Sequence, residues 1–326
     1  MHYLEIAAGL VILVLGAELL VRSSVAVARR LGVSPLMIGL TLVGFGTSSP
    51  ELVASLTAAL RGSSGIAVGN VVGSNICNGL LILGVAALVA PLAITRAAFL
   101  RDGPVLVAAS LLLLGVCLLG DAPRWAGAML VMLLVAYVVW CYRTERQDPE
   151  AAKEHEGEAN AAAVAPSTSV ARGVAGAGGG LVLLVVGAWL LVGGAMTLAR
   201  AFSVSQTIIG LTIVAVGTSL PELATSVIAA ARGQADVAFG NIIGSNIYNI
   251  LGILGAVAVV QPLAIPPEIA AFDVWVMLAS TVLLVLFALT GWRIVRWEGA
   301  ALLAAYGLYI TWLFRSAGAA VTGAPL

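Results

Sequence analysis

Two acids occupy the same setting at two places in the chain: Glu51 in GTSSPEL and Glu222 in GTSLPEL. Both lie inside long apolar runs, well away from the ends of those runs. A carboxylate in hydrocarbon is costly unless partnered, so an acid there is a functional candidate by default. Pro50 and Pro221 directly precede them. A proline inside a helix lacks the N–H that would bond four residues back, which should free the carbonyls of Gly46 and Thr47, and of Gly217 and Thr218. Freed carbonyls in an apolar medium need protein, water or a cation as partner. Carboxylate, hydroxyl and carbonyl oxygens within one helical turn form a hard donor set, suited to Ca²⁺ or Na⁺ rather than to soft metals. The alternative is a pair of structural acids, each hydrogen-bonded to a neighbouring helix.

A second polar pair follows the first at matching distance, in GNVVGSNICN (69–78) and GNIIGSNIYN (240–249). Ser74 and Asn78 are four apart and share a helix face, as do Ser245 and Asn249, so their oxygens could complete a cation shell. Gly69/Gly73 and Gly240/Gly244 also read as small-xxx-small packing surfaces with the polar groups as interhelical glue. For Asn70, Asn75, Asn241 and Asn246, packing and ligation both stay open. Glu18 is one helical turn from Arg22, and an ion pair explains it. Only two histidines are present, His2 and His155, both outside the apolar runs, and there is no HExxH; hydrolytic chemistry within a membrane is not expected. The three cysteines, Cys77, Cys117 and Cys141, sit in or beside apolar runs and read as core packing.

The elements that must position these groups are membrane helices. Of 326 residues, 61% are hydrophobic and 10% charged, and net charge is zero, so nothing points to nucleic acid. Apolar runs long enough to cross ~30 Å of hydrocarbon fall at 3–21, 35–60, 66–90, 100–119, 123–142, 178–199, 205–231, 237–260, 271–291 and 299–315. This predicts an all-α polytopic membrane protein of ten transmembrane helices. The N-terminal run lacks a basic leader and a cleavage site and reads as the first span. Segment 39–84 aligns without gaps on 210–255, with 27 identities in 46 positions at an offset of 171, and PLAI recurs at 91–94 and 262–265. The chain is therefore duplicated: 1–142 and 178–326 are five-helix repeats, joined by a polar cytoplasmic linker, 143–177. Five spans per half is odd, so the second half is inverted, an arrangement that points to a transporter with its site between the repeats. Twelve of the sixteen basic residues fall on one side if both termini lie outside, which the positive-inside rule favours.

At these residues the sequence resembles the calcium/cation antiporter superfamily, especially prokaryotic sodium/calcium exchangers, whose two alpha-repeats look like the paired GTS-x-PE and GN-x-x-GSNI-x-N segments. The resemblance implies alternating access by sliding of the first and sixth spans. It also implies ion coordination by Glu51 and Glu222, the side chains of Ser48, Ser74, Ser219 and Ser245, and the carbonyls of Thr47 and Thr218, with the carbonyls of Gly44 and Ala215 at flanking sodium sites. Some relatives carry Asp where this chain has Asn249; here both equivalent places are Asn, at 78 and 249, leaving two carboxylates rather than three. The expected function is antiport across the cell membrane, Ca²⁺ leaving as Na⁺ enters, with no cofactor. Exchange of Ca²⁺ for H⁺ is the alternative, and a cation channel the reading from a different class. Substrate ions and the lipid bilayer are the expected partners; oligomeric state is left open.

Overall fold

The computed structural model describes residues 2–32, 44–145, 169–202 and 204–322. Among these the chain is almost wholly helical. In order come α1 (His2–Arg30), α2 (Gly44–Thr47), α3 (Ser49–Leu60), α4 (Ser64–Val89), α5 (Arg96–Leu119), α6 (Arg124–Glu145) and α7 (Val170–Ala201). The second half continues with α8 (Gln206–Thr218), α9 (Leu220–Ala231), α10 (Ala235–Val260), α11 (Ile269–Leu289) and α12 (Arg296–Thr322). Seven of them, α1, α4, α5, α6, α7, α10 and α11, are long and apolar enough to cross a bilayer; α8 and α9, bent by 46° at their junction, make an eighth span if taken together. α12 covers the tenth predicted run but is not among those spans. Of the predicted second span, 35–60, the part before Gly44 lies outside the described residues, as do 39–43 of the first repeat motif.

Helix extends into both ends of the predicted linker, 143–177. α6 runs on to Glu145 and α7 starts at Val170, because Ser169 caps it: its Oγ accepts from the Arg172 N–H at 3.3 Å. Small residues in VARGVAGA offer no polar competition to the helix, and the rest of the linker, 146–168, lies outside the described residues.

The two halves interlock at matched points. Two-residue strands β1 (Leu92–Ala93), β2 (Asp121–Ala122), β3 (Leu263–Ala264) and β4 (Arg293–Ile294) form two antiparallel ladders, β1 with β4 and β2 with β3. β1 and β3 are the two PLAI copies, so each half lends one strand to each ladder; Leu92 and Leu263 anchor them in the core. Ser110 and Thr281, 171 positions apart, meet each other at 3.2 Å.

α1 and α7 cross with backbones in contact. A Cβ on Gly9 would lie 2.8 Å from the Gly187 carbonyl, and one on Gly180 would lie 2.5 Å from the Leu20 nitrogen. Only glycine permits this approach, and it leaves a smooth surface between two long helices.

Candidate cation site

The prolines lie at helix starts rather than inside continuous helices. Each helix breaks one residue before its proline-containing segment: Ser48 (φ −85°, ψ 9°) separates α2 from α3, and Ser219 (φ −83°, ψ 9°) separates α8 from α9. Pro50 and Pro221 sit in the first turn of the resumed helix, where a missing N–H is tolerated. Pairing recovers at once, with the Leu52 N–H on the Ser48 carbonyl (3.1 Å) and the Leu223 N–H on that of Ser219 (3.0 Å). The broken junctions deliver Glu51 and Glu222 to the interior, where each is 1% exposed.

The acids are held crosswise. Ser48 Oγ donates to Glu222 Oε1 at 3.1 Å, and Ser219 Oγ donates to Glu51 Oε1 at 2.9 Å. Each half thus supplies the serine that orients the other half's carboxylate. Asn70 Nδ2 donates to the Glu51 carbonyl (3.2 Å) and Ser55 Oγ (2.9 Å); Asn241 Nδ2 does the same with the Glu222 carbonyl (3.4 Å) and Ser226 Oγ (2.9 Å). Packing therefore accounts for Asn70 and Asn241, and what they pack is the backbone that carries the acids.

The remaining oxygens point to a ligand. Glu51 Oε2, Glu222 Oε2, Ser74 Oγ, Asn75 Oδ1, Asn78 Oδ1 and Asn249 Oδ1 are buried without a hydrogen-bond partner. A single buried unsatisfied polar atom costs ~1–3 kcal/mol, so a native protein holds few of them. Six of the seven such atoms among the described residues lie in the two repeat motifs, five of them on residues the sequence marks as ligands; the seventh is the Tyr306 hydroxyl, outside the motifs. All are hard oxygen donors. Among the described residues no three of His, Cys, Asp and Glu come together.

The other candidates fall as follows. Ser245 is buried at 3% exposure. Asn78 Nδ2 donates to Asn246 Oδ1 at 3.0 Å, which turns the Asn78 oxygen the other way. Thr218 Oγ1 donates to Asn70 Oδ1 at 3.2 Å, and Thr47 is half-buried with partners of its own. The Ala215 carbonyl already accepts the Ser219 N–H at 3.1 Å, with Thr218 Oγ1 at 3.4 Å. Gly44 opens α2. Glu18 pairs with Arg22 at 2.5 Å, and the three cysteines are free and buried, both as expected.

Among the π-helical stretches that sequence reasoning missed are Cys77–Ile82 in α4 and Tyr248–Leu254 in α10. They begin next to Asn78 and Asn249, just after the α-helical turns that carry Ser74 and Ser245. Such bulges recur at functional sites because they re-aim a side chain without ending the helix. Also unforeseen were two acid–tyrosine pairs outside the cage, Tyr137 OH on Asp102 Oδ1 and Tyr309 OH on Asp273 Oδ1, both 2.9 Å.

A helical membrane protein whose two halves each bury a carboxylate hydrogen-bonded to a serine of the other half has the class features of an ion transporter. The sequence profile described as sodium/calcium exchanger protein matches residues 1–143 and 172–315. The chain belongs to the sodium/calcium exchanger family, whose members are cation antiporters. It is 36% identical over 344 residues to the sodium/calcium exchanger MaX1 of Methanosarcina acetivorans, covering 96% of this chain and 98% of that one. The inner membrane protein YrbG of Escherichia coli is 36% identical, with 87% of each chain covered. Among solved structures, the sodium-calcium exchanger NCX_Mj soaked with Na⁺ and Ca²⁺ superposes with a TM-score of 0.61 at 31% identity, over 95% of this chain and 97% of that one.

Proposed function

We propose that the protein exchanges Ca²⁺ for Na⁺ across the cell membrane by alternating access, with Glu51 and Glu222 as ligands of each bound ion in turn. The observation that carries this reading is the cluster of partnerless buried oxygens on both repeat motifs, in a chain of this family. Two carboxylates balance one Ca²⁺ or two Na⁺; a third Na⁺ would make the loaded carrier positive and the exchange electrogenic. Each charge moved through 100 mV is worth ~2.3 kcal/mol, so stoichiometry sets how steeply Ca²⁺ can be extruded. Ser48, Ser219, Ser74, Ser245, Asn78 and Asn249 complete the shell in this reading, with the Thr47 and Thr218 carbonyls; those of Gly44 and Ala215 serve sodium.

The reading takes the chain as ten spans in two inverted five-helix halves, with α1 and α7 as the sliding pair. Crosswise serine–glutamate bonds, the two mixed ladders and the Ser110–Thr281 contact support a two-fold relation between halves. The glycine-faced α1–α7 crossing suits sliding, because it presents little side-chain interlock. The excess of basic residues on one side supports both termini outside, with the segment between α6 and α7 in the cytoplasm.

Ca²⁺/H⁺ exchange is the second reading. Asn at both 78 and 249 leaves two acids, which two protons neutralise as well as Ca²⁺ does. Ca²⁺ flux in proteoliposomes separates the readings. An imposed Na⁺ gradient drives uptake if the first is right; a pH gradient driving uptake where Na⁺ fails would replace it with the second.

A further inference from the structure

The two halves are not in equivalent positions, and the difference lies where α1 and α7 cross the broken helices. α7 packs along α3, whereas α1 makes no comparable contact with α9, the repeat mate of α3. Val53 and Thr57 on α3 are half-buried, whereas their repeat mates on α9, Ala224 and Ile228, are exposed. At the end of α3, Arg61 closes the contact: its guanidinium stacks over the Trp189 ring at 4.9 Å, and its Nη1 lies 3.0 Å from where a Cβ on Gly193 would be. In the other half the corresponding residues are Arg232 for Arg61, Glu18 for Trp189 and Arg22 for Gly193. Arg232 is exposed, and Glu18 is half-exposed on its Arg22 partner.

We propose that Arg61–Trp189 and Arg232–Glu18 are alternative latches, one for each facing of the carrier. This rests on the alternating-access reading above. If the second conformation is the first with the roles of the halves exchanged, α1 lies along α9 and brings Arg232 onto position 18. The contact there is not a cation stacked on a ring but an ion pair. Glu18 then stands between two guanidiniums, Arg22 on its own helix and Arg232 from α9, and the acid is what makes their approach tolerable. A cation on an indole face loses less strength to salt than an interfacial ion pair does. The two facings of this carrier therefore respond differently to ionic strength, although the repeats that form them are alike.

The experiment uses the full chain in proteoliposomes, with cysteine pairs read by a thiol cross-linker and peptide mass spectrometry; native Cys77, Cys117 and Cys141 are buried. Arg61→Cys with Trp189→Cys reports the conformation described here, and Glu18→Cys with Arg232→Cys reports the other. Both pairs are expected to link, and linking either is expected to stop Ca²⁺ flux. Glu18→Gln on the Arg61/Trp189 reporter should raise its linking by about two- to fivefold, the size of one interfacial ion pair, and high salt should raise it similarly. Wild-type flux is measured in the same vesicles. No Glu18/Arg232 linking while wild-type flux is intact overturns the latch and leaves antiport standing. Absence of wild-type flux overturns the antiport reading, and the latch falls with it.

Discussion

Replacing Glu51 by Gln isolates what the buried acid is for. The side chain keeps its volume, and Gln Oε1 can still accept the Ser219 hydroxyl that now reaches Glu51 Oε1 at 2.9 Å. What changes is the other oxygen, at present without a partner, which becomes an NH₂ donor. A bound Ca²⁺ would lose one of two balancing charges and meet a donor where it needs an acceptor. Removing one member of a buried charge pair costs ~3–5 kcal/mol, equivalent to a loss in affinity of about 100- to 5,000-fold. The ion-free protein should respond in the opposite sense, because a neutral amide is cheaper to bury than a carboxylate. The variant is therefore expected to lose ⁴⁵Ca²⁺ exchange and high-affinity Ca²⁺ binding, while its melting temperature without Ca²⁺ rises or holds. A variant that melts lower and still exchanges Ca²⁺ with an unchanged half-saturation concentration would refute the reasoning and make Glu51 a structural acid.

Other perturbations test the supporting parts. Ser48→Ala removes the hydroxyl that orients Glu222 Oε1; a charge-assisted bond of this kind is worth ~1.5–3 kcal/mol, so Ca²⁺ affinity by titration should fall about 10- to 100-fold. Asn241→Ala leaves the Glu222 carbonyl and Ser226 without their shared donor, and denaturation should show a loss of ~1–3 kcal/mol together with slower flux. Asn249→Asp adds a third negative charge where an amide oxygen now lacks a partner, and isothermal titration should find Ca²⁺ bound more tightly, by about tenfold or more. Gly180→Val drives a branched side chain into the Leu20 backbone, since even a Cβ would sit 2.5 Å from its nitrogen; flux should stop whether or not the protein still assembles in the membrane.

The two buried acids were legible because they contradict their surroundings. Two acids lie in apolar runs, each behind a proline and each in a copy of the same motif. The helix breaks at Ser48 and Ser219 followed from the same prolines. The crosswise bonding of Ser48 to Glu222 and Ser219 to Glu51 was not legible, because it depends on how two copies 171 residues apart meet, and no local pattern encodes that. The π-turns at Cys77 and Tyr248 escaped for another reason. They sit in segments buried on every side, where no polar face exists for an extra residue to shift. Buried Asp102 and Asp273 were passed over near the ends of their runs, and their tyrosines lie 35 and 36 residues further on. The start of α7 at Val170 was masked by glycine and alanine, which carry little hydropathic signal although Ser169 caps the helix.

The most direct test is to locate the cation itself. Crystals of the protein soaked with Sr²⁺, a heavier stand-in for Ca²⁺, would report the bound ion by its anomalous scattering. The account predicts one strong peak between the two broken helices, with Glu51 Oε2 and Glu222 Oε2 both within about 2.3–2.7 Å and further oxygens from Ser74, Asn78 or Asn249. A peak held by neither carboxylate, in protein that still exchanges Ca²⁺, would contradict it.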